Sequence, residues 1–251
     1  MSVFARWAPR LRVSKSIVAP EAPREVVDDF ASFGIHAFTT TRGAGTYGMN
    51  GPEPVAEVMT RWYTLVDELH STAPRFATAR QVHGTRVVVH SDGWEGWLRI
   101  AEADGHAAPE RGTAQAVSIA DCVPVFLAHP AGATALLHSG WRGTAARILD
   151  HGITALANRG FAPAELRVHL GPAICGKCYE VSADVYRQLT GKAVDTATTV
   201  DLRALLADRA RTLGARHIST SPWCTRCHND RFFSHRAGDT GRQIGVIYAA
   251  A

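Results

Sequence analysis

Apolar positions along the chain recur with two different periods, and the switches between them mark out the elements. Residues 37–41 form a β-branched run that ends in Arg42-Gly-Ala-Gly45, and residues 54–70 carry Val55, Val58, Trp62, Leu65 and Leu69 at helical spacing. Strand, glycine turn and helix therefore follow one another. Short strands are predicted over 76–82 and 85–90 on either side of Gly84, and over 116–120 and 123–128 on either side of Asp121-Cys122. An apolar strand over 134–138 runs into Ser139-Gly-Trp-Arg-Gly143, and residues 144–158 place Ala145, Ile148, Leu149, Ile153 and Leu156 on one helical face. Next come a strand over 166–170 stopped by Gly171-Pro172, helices over 184–189 and 202–213, and a last strand over 244–248. Interleaved strands and helices argue for an α/β sandwich with helices on the sheet faces, in which sites form at strand ends.

No repeat, low-complexity tract or Pro/Gly/Ser-rich linker divides the 251 residues, so one domain is the economical reading. Hydrophobic residues make up 46% and charged residues 20% of the chain, the balance of a globular protein rather than a disordered or fibrous one. No run of 18 apolar residues and no apolar signal region is present, so no membrane contact is expected and a cytoplasmic location is. Arg6, Arg10, Arg12 and Lys15 precede the first acid, Glu21, as in an organelle transit peptide; the plainer reading is a basic arm or strand over residues 1–30. A net charge of +4 spread along the chain excludes the electrostatic footprint of a nucleic-acid binder. Small anions remain plausible partners. Of 27 basic residues only Lys15, Lys177 and Lys192 are lysines, and a guanidinium grips phosphate or carboxylate through two parallel hydrogen bonds.

Three residues capable of metal chemistry sit where predicted strands meet turns: His83 in Gln-Val-His-Gly, Cys122 in Ala-Asp-Cys-Val-Pro and His138 in His-Ser-Gly-Trp-Arg-Gly. Two imidazoles and a thiolate suit zinc, and three protein ligands leave the fourth position open for water or substrate, as in catalytic sites. Each residue alone has an ordinary explanation, a buried cysteine being a small hydrophobe and a histidine a hydrogen-bonded ring. The other four cysteines pair as Cys175-Gly-Lys-Cys178 and Cys224-Thr-Arg-Cys227, a spacing that could close a second, four-thiolate zinc site. The 45 residues between the pairs exceed what a compact zinc ribbon uses, so ordinary reduced cysteines are the default reading.

The chain resembles the laccase-domain family, whose members are known as multicopper polyphenol oxidases, as purine nucleoside phosphorylases and as peptidoglycan editing factors. The resemblance covers about residues 35–248 and is carried by Gln81-Val-His-Gly84, Ala103-Asp-Gly105, Ala120-Asp-Cys-Val-Pro124, His138-Ser-Gly-Trp-Arg-Gly-Thr144 and Gly171-Pro-Ala-Ile174. Further matches are Cys178-Tyr-Glu-Val181, Cys224-Thr225, Phe232-Phe-Ser-His-Arg236 and Thr240-Gly-Arg242. It implies a three-layer α/β/α sandwich with a mixed sheet and a metal held by His83, Cys122 and His138. It also implies phosphorolysis of adenosine, inosine, guanosine and methylthioadenosine, with adenosine deamination as a companion activity. Two departures stand out: Ser139 replaces the family's usual alanine, and residues 42–54 are shorter than the family's glycine-rich loop, which puts substrate choice in doubt.

Phosphorolysis needs an anion clamp beside the sugar, for which Arg42, Arg142 and Arg236 are candidates, Arg42 holding the place of the family's loop arginine. A proton shuttle is needed too. Asp121 and Glu180 are the candidate carboxylates, although alternation along a strand can aim Asp121 away from Cys122. The rival enzyme reading is a Cys-His amide hydrolase acting on a cell-wall precursor, with Cys122 as nucleophile and His138 or His83 as base, helped by a fold-level resemblance to cysteine deamidases. A copper-dependent polyphenol oxidase comes third, because the twelve histidines include no His-x-His pair and Met1, Met49 and Met59 sit in no ligand-like motif. A non-catalytic metal-stabilised module would need a closed fourth ligand such as Cys175 or His106. Oligomeric state is left open. Trp94, Trp97, Trp141, Phe232 and Phe233 are expected to fill the core.

Overall fold

The structure is a computed structural model and describes residues 23–251. Most of the basic N-terminal arm therefore lies outside the described residues. In chain order the first strands are β1 (Arg24–Val26), β2 (Ile35–Thr40), β3 (Arg75–Ala79), β4 (Val87–Val89), β5 (Gly96–Ile100), β6 (Gly105–Ala108) and β7 (Thr113–Ile119). The rest are β8 (Val123–Ala128), β9 (Thr134–Ser139), β10 (Arg167–Leu170), β11 (Glu180–Val181), β12 (Thr198–Thr199), β13 (His217–Thr220) and β14 (Gln243–Ala249). The helices are α1 (Val55–His70), α2 (Trp141–Ala145), α3 (Ile148–Ala157), α4 (Ala183–Thr190) and α5 (Leu202–Thr212). Among the described residues no helix is long and apolar enough to cross a membrane.

The α/β/α sandwich is borne out, but its middle layer holds two mixed sheets rather than the one expected. One six-stranded sheet runs β1-β2-β14-β7-β3-β5 and a second runs β13-β10-β8-β9-β6-β4, while β11 and β12 form a small separate pair. Both large sheets mix parallel with antiparallel neighbours: β3 lies parallel to β5 and β7, whereas β8 and β9 are antiparallel. Val117, Ile119 and Ile247 of the first sheet meet Phe126, Ala128 and Leu136 of the second in one apolar cluster. That double burial explains why nearly every residue of β7, β8 and β9 is buried and why none of the three alternates between an inner and an outer face.

Helices cover the two outer faces. On α1 the residues Val58, Trp62, Leu65 and Leu69 are buried, as their spacing predicts, while Val55 at the first position faces solvent. They pack with Phe38, Phe76 and Val246 of the first sheet. On the other side α3 and α5 bring Leu149, Ile153, Leu202 and Leu206 against Val125, Leu137 and Val168 of the second sheet. Asp201 caps α5 by accepting the backbone N–H groups of Arg203 and Ala204, and Ser182 caps α4 through that of Val185.

The helix expected over 144–158 begins earlier and is broken. α2 and α3 are separated by Arg147, whose φ of 66° is left-handed. The break lets Gly143 of α2 sit against the backbone of Gly84 while α3 follows its own line over Leu127 and Leu137. A helical period cannot register one left-handed residue. Strand β6 escaped prediction because Gly-His-Ala-Ala has little strand character. Its place depends on close approach, since a Cβ at Gly105 would lie 2.7 Å from Leu137 Cδ2 and 2.9 Å from Val87 Cγ2.

Leu137 is the common partner of these approaches, being fully buried and meeting Gly105 on one side and Gly152 of α3 on the other. Leu137→Ala should destabilise the protein by about 2–5 kcal/mol through lost burial and a residual cavity. Urea unfolding monitored by circular dichroism measures this, and a loss below about 1 kcal/mol would contradict the packing described, the range for leucine-to-alanine changes being well above it.

Candidate metal centre

Three chain segments deliver ligand atoms to one point. His83 lies in the turn between β3 and β4, Cys122 immediately precedes β8, and His138 lies near the end of β9. The antiparallel pairing of β8 with β9 sets Val123 opposite Ser139 and Pro124 opposite His138, so Cys122 emerges beside the end of β9. One ligand atom from each of His83, Cys122 and His138 lies within 4.8 Å of the other two. Cys122 Sγ is 4.0 Å from His83 Nε2, and the two imidazole rings stand 4.8 Å apart at 73°. His138 is buried, Cys122 half-buried and His83 exposed, so the group opens to solvent on the His83 side.

A buried carboxylate holds two of these segments. Asp104, just before β6, accepts the backbone N–H groups of His83 through Oδ1 at 2.9 Å and of Gly84 and Val82 through Oδ2 at 2.7 and 3.1 Å. The same Oδ1 accepts Nδ1–H of His138 at 2.8 Å. An ionised carboxylate only accepts, so Nδ1 carries the proton and Nε2 is the ring atom turned toward Cys122 and His83. This is the carboxylate–histidine pairing that orients metal-binding imidazoles. Burial alone would push the Asp104 carboxyl up, but the His138 hydrogen bond and the backbone N–H groups outweigh it and hold it below its ordinary value.

The ligand residues polarise one another in turn. Burial would raise the Cys122 thiol, yet the charge and hydrogen bond of His138, with help from His83, bring it below the ordinary cysteine value. Burial would lower His138, but the Cys122 charge and the Asp104 hydrogen bond raise it. The thiolate form of Cys122 is thereby favoured, which is the form that binds a metal.

Backbone conformation is also committed to the site. The described residues include three non-glycine residues with left-handed φ, and two of them are His83 at 60° and Asp121, next to Cys122, at 84°. Such conformations cost on the order of 1–3 kcal/mol each and persist where the surroundings impose them. Gly140 is required for a different reason: a Cβ there would lie 2.9 Å from Cys122 Sγ and 3.0 Å from His83 Cδ2. Ser139, where the resembling family has alanine, is fully buried and hydrogen-bonds Thr144 Oγ1 at 2.9 Å.

Other predicted site residues fall into different roles. Asp121 points away from the ligand group, its Oδ1 accepting the Thr225 hydroxyl at 2.6 Å and its Oδ2 the Arg236 backbone N–H at 2.7 Å. Both oxygens are thus engaged in clamping loops, and the expected shuttle role loses its support. The Arg42 guanidinium is spent inside the protein, on the carbonyls of Asn229 and Phe232 and, at 2.6 Å, on Asp239, and it lies over the Phe233 ring. It is a strut between distant segments rather than an open anion clamp. Arg142 is exposed over the Trp141 ring, and Arg236 lies over Tyr179 while donating to the Glu180 carbonyl. Glu180 itself is exposed in β11. Burial and then the Cys122 charge push the Tyr179 phenol up to about 12, against the opposing pull of Arg236 and Arg142. Tyr179 thus lies within electrostatic reach of Cys122, Arg236 and Arg142.

No fourth His, Cys, Asp or Glu of the described residues joins the group of three. His106 stacks on His90 with a 2.9 Å contact between ring nitrogens, and Cys175 belongs to the other cysteines, so neither closes the site. A cavity of about 460 Å³ lined by Trp62, Trp97, Arg80, Gln81 and Ser118 lies beside α1, but none of the three ligand residues lines it. Asp104, Gly140 and Tyr179 were not singled out from the sequence. Asp104 had a signal, since it is the acid of the Ala103-Asp-Gly105 motif that carries the resemblance.

The family model described as multi-copper polyphenol oxidoreductase laccase matches residues 39–250. A purine nucleoside phosphorylase of Deinococcus radiodurans is 36% identical over 234 residues, covering 84% of this chain and 88% of that protein. An adenosine deaminase from an unknown prokaryotic organism is 31% identical over 260 residues, covering 88% and 97%. Among solved structures, the YlmD protein of Geobacillus stearothermophilus superposes with a TM-score of 0.79 at 28% identity, covering 88% of this chain and 94% of that one. With a match that begins in β2 and runs past the end of β14, the chain belongs to the multi-copper polyphenol oxidoreductase laccase family.

Proposed function

We propose that this protein is a zinc-dependent purine nucleoside phosphorylase of the cytoplasm, cleaving adenosine, inosine, guanosine and methylthioadenosine with phosphate and deaminating adenosine as a companion activity. The observation that carries the proposal is the convergence of His83, Cys122 and His138 on one point with one side left open. Relatives that bear the names of both activities support it. Two imidazoles and a thiolate are a borderline-soft donor set that fits zinc. When bound, the ion supplies Lewis acidity and lowers the pKa of a water molecule to about 7.

The chain's own residues supply the rest. Asp104 keeps His138 in one tautomer and the turn of His83 in place. Arg142 and Arg236 are the arginines suited to hold phosphate next to Cys122, since both act electrostatically on Tyr179 together with it. Copper is a secondary occupant: among the described residues the groups of three or more metal-ligand side chains contain only His83 and His138 as histidines.

A second reading rests on the favoured thiolate of Cys122 beside a raised His138, which also equips a nucleophile for amide hydrolysis. The two readings diverge over metal, because a zinc-bound thiolate is quenched as a nucleophile.

Purified protein should release free purine base and ribose 1-phosphate from inosine only when phosphate is present, and should convert adenosine to inosine without it. His83→Ala, Cys122→Ala and His138→Ala should each lose the metal of this centre and both reactions together. Metal-loaded protein inert toward every nucleoside, or a covalent acyl adduct on Cys122 with a peptide substrate, would overturn the proposal.

Asp104→Asn keeps the shape of the side chain but removes the charge that orients His138. It should weaken zinc binding by about 10–100-fold, the usual effect of losing such a partner. Competition against a chelator of known affinity measures this. Unchanged affinity would remove Asp104 from the account of the site.

A further inference from the structure

The four cysteines outside the centre just described come from two CxxC segments far apart in the sequence, and the fold brings them together. Their Sγ atoms all lie within 4.8 Å of one another, and Cys178 Sγ is 3.5 Å from Cys227 Sγ. Tetrahedral zinc with bonds of about 2.3 Å to sulfur separates its thiolates by about 3.8 Å. A disulfide needs about 2.0 Å, so the spacing matches four ligands around an ion rather than a bonded pair. All five cysteines are free thiols in the structure.

Backbone geometry points the same way. Each CxxC forms a tight turn, with the Cys178 N–H donating to the Cys175 carbonyl at 2.9 Å. The N–H groups of Cys175 and Cys227 both donate to Cys224 Sγ, at 3.3 and 3.4 Å. Donors aimed at a sulfur from both segments favour its thiolate, and crowded thiolates repel unless a cation compensates them. Cys224 is buried and Cys227 exposed, so the cluster sits at the protein surface with a path for metal entry.

We propose that Cys175, Cys178, Cys224 and Cys227 bind a structural zinc ion in a closed four-thiolate site. Four protein ligands leave no open position, so the ion holds structure and takes no substrate. What it holds is specific. Ala173 and Cys224 form an isolated bridge, and the two segments otherwise meet only through loop contacts. The Ile174 N–H donates to the Asp121 carbonyl and the Thr225 hydroxyl to the Asp121 carboxylate. Both cysteine-bearing segments thereby grip the left-handed residue that precedes Cys122. The ion acts as a clip that fixes the loop of the first centre from behind, independently of which reaction that centre performs.

Elemental analysis of the wild-type protein, purified under reducing conditions with zinc present, should give two zinc ions per chain. The double variant Cys178→Ser, Cys227→Ser should retain one, and Cys122→Ser should retain the one held by the four cysteines. If the double variant fails to fold, thiol titration of the Cys122→Ser protein decides: four thiols should stay unreactive until a chelator removes one zinc, then react together. Zinc content unchanged between wild type and the folded Cys178→Ser, Cys227→Ser variant, four thiols reactive without chelator, or a Cys178–Cys227 disulfide found by mass spectrometry would each overturn the proposal, whereas a single zinc lost only in that double variant would instead count against the first centre.

Discussion

The hydrogen bonds of one buried carboxylate tie the candidate centre together. Asp104 is fully buried, and its two oxygens receive three consecutive backbone N–H groups from the His83 turn and the Nδ1–H of His138. A buried anion of this kind is tolerated only when its hydrogen bonds are complete, and it then fixes every group that donates to it. The His83 turn has neither strand nor helix to hold it, so its three backbone N–H groups are fixed by Asp104. The residue that holds the His138 ring in its tautomer is the same one that pins the His83 backbone.

Around this anchor the sheet supplies position and glycine supplies space. The β8–β9 ladder places Cys122 beside the end of His138's strand, and β6, pairing with β9 from the other side, places Asp104 beneath it. Gly140 lets the backbone pass within contact of Cys122 and His83, and Gly143 lets α2 rest against Gly84. Left-handed φ at His83 and Asp121 completes the convergence, and strain of this kind concentrates where function requires an arrangement the local sequence would not adopt. Behind Asp121, the two cysteine segments hold what the sheet does not reach.

Much of this was legible in the sequence. The strands around Asp121-Cys122, the strand ending at His138 and helix α1 announced themselves through their apolar period, and three ligand-type residues at strand ends suggested a centre. Strands β5, β6 and β13 stayed hidden because they are short, glycine-bearing or partly exposed, and their pairing depends on distant partners. Doubling of the sheet was equally invisible, since strands buried on both faces read alike whether helices or another sheet covers them. Arg42 and Asp121 were conspicuous for the charge they carry. Only tertiary contacts reveal that Asp239 and the Asn229 and Phe232 carbonyls take up the first, and Thr225 and Arg236 the second. Asp104 mattered more than either, and its importance lies in hydrogen bonds to residues some twenty to thirty-five positions away.

Anomalous diffraction from crystals of the zinc-loaded protein, recorded on both sides of the zinc absorption edge, tests the central claim most directly. The account predicts a peak between His83 Nε2, Cys122 Sγ and His138 Nε2, at about 2.0–2.1 Å from each nitrogen and about 2.3 Å from sulfur. A map with no peak among those three atoms, from protein whose zinc content is established, would contradict it.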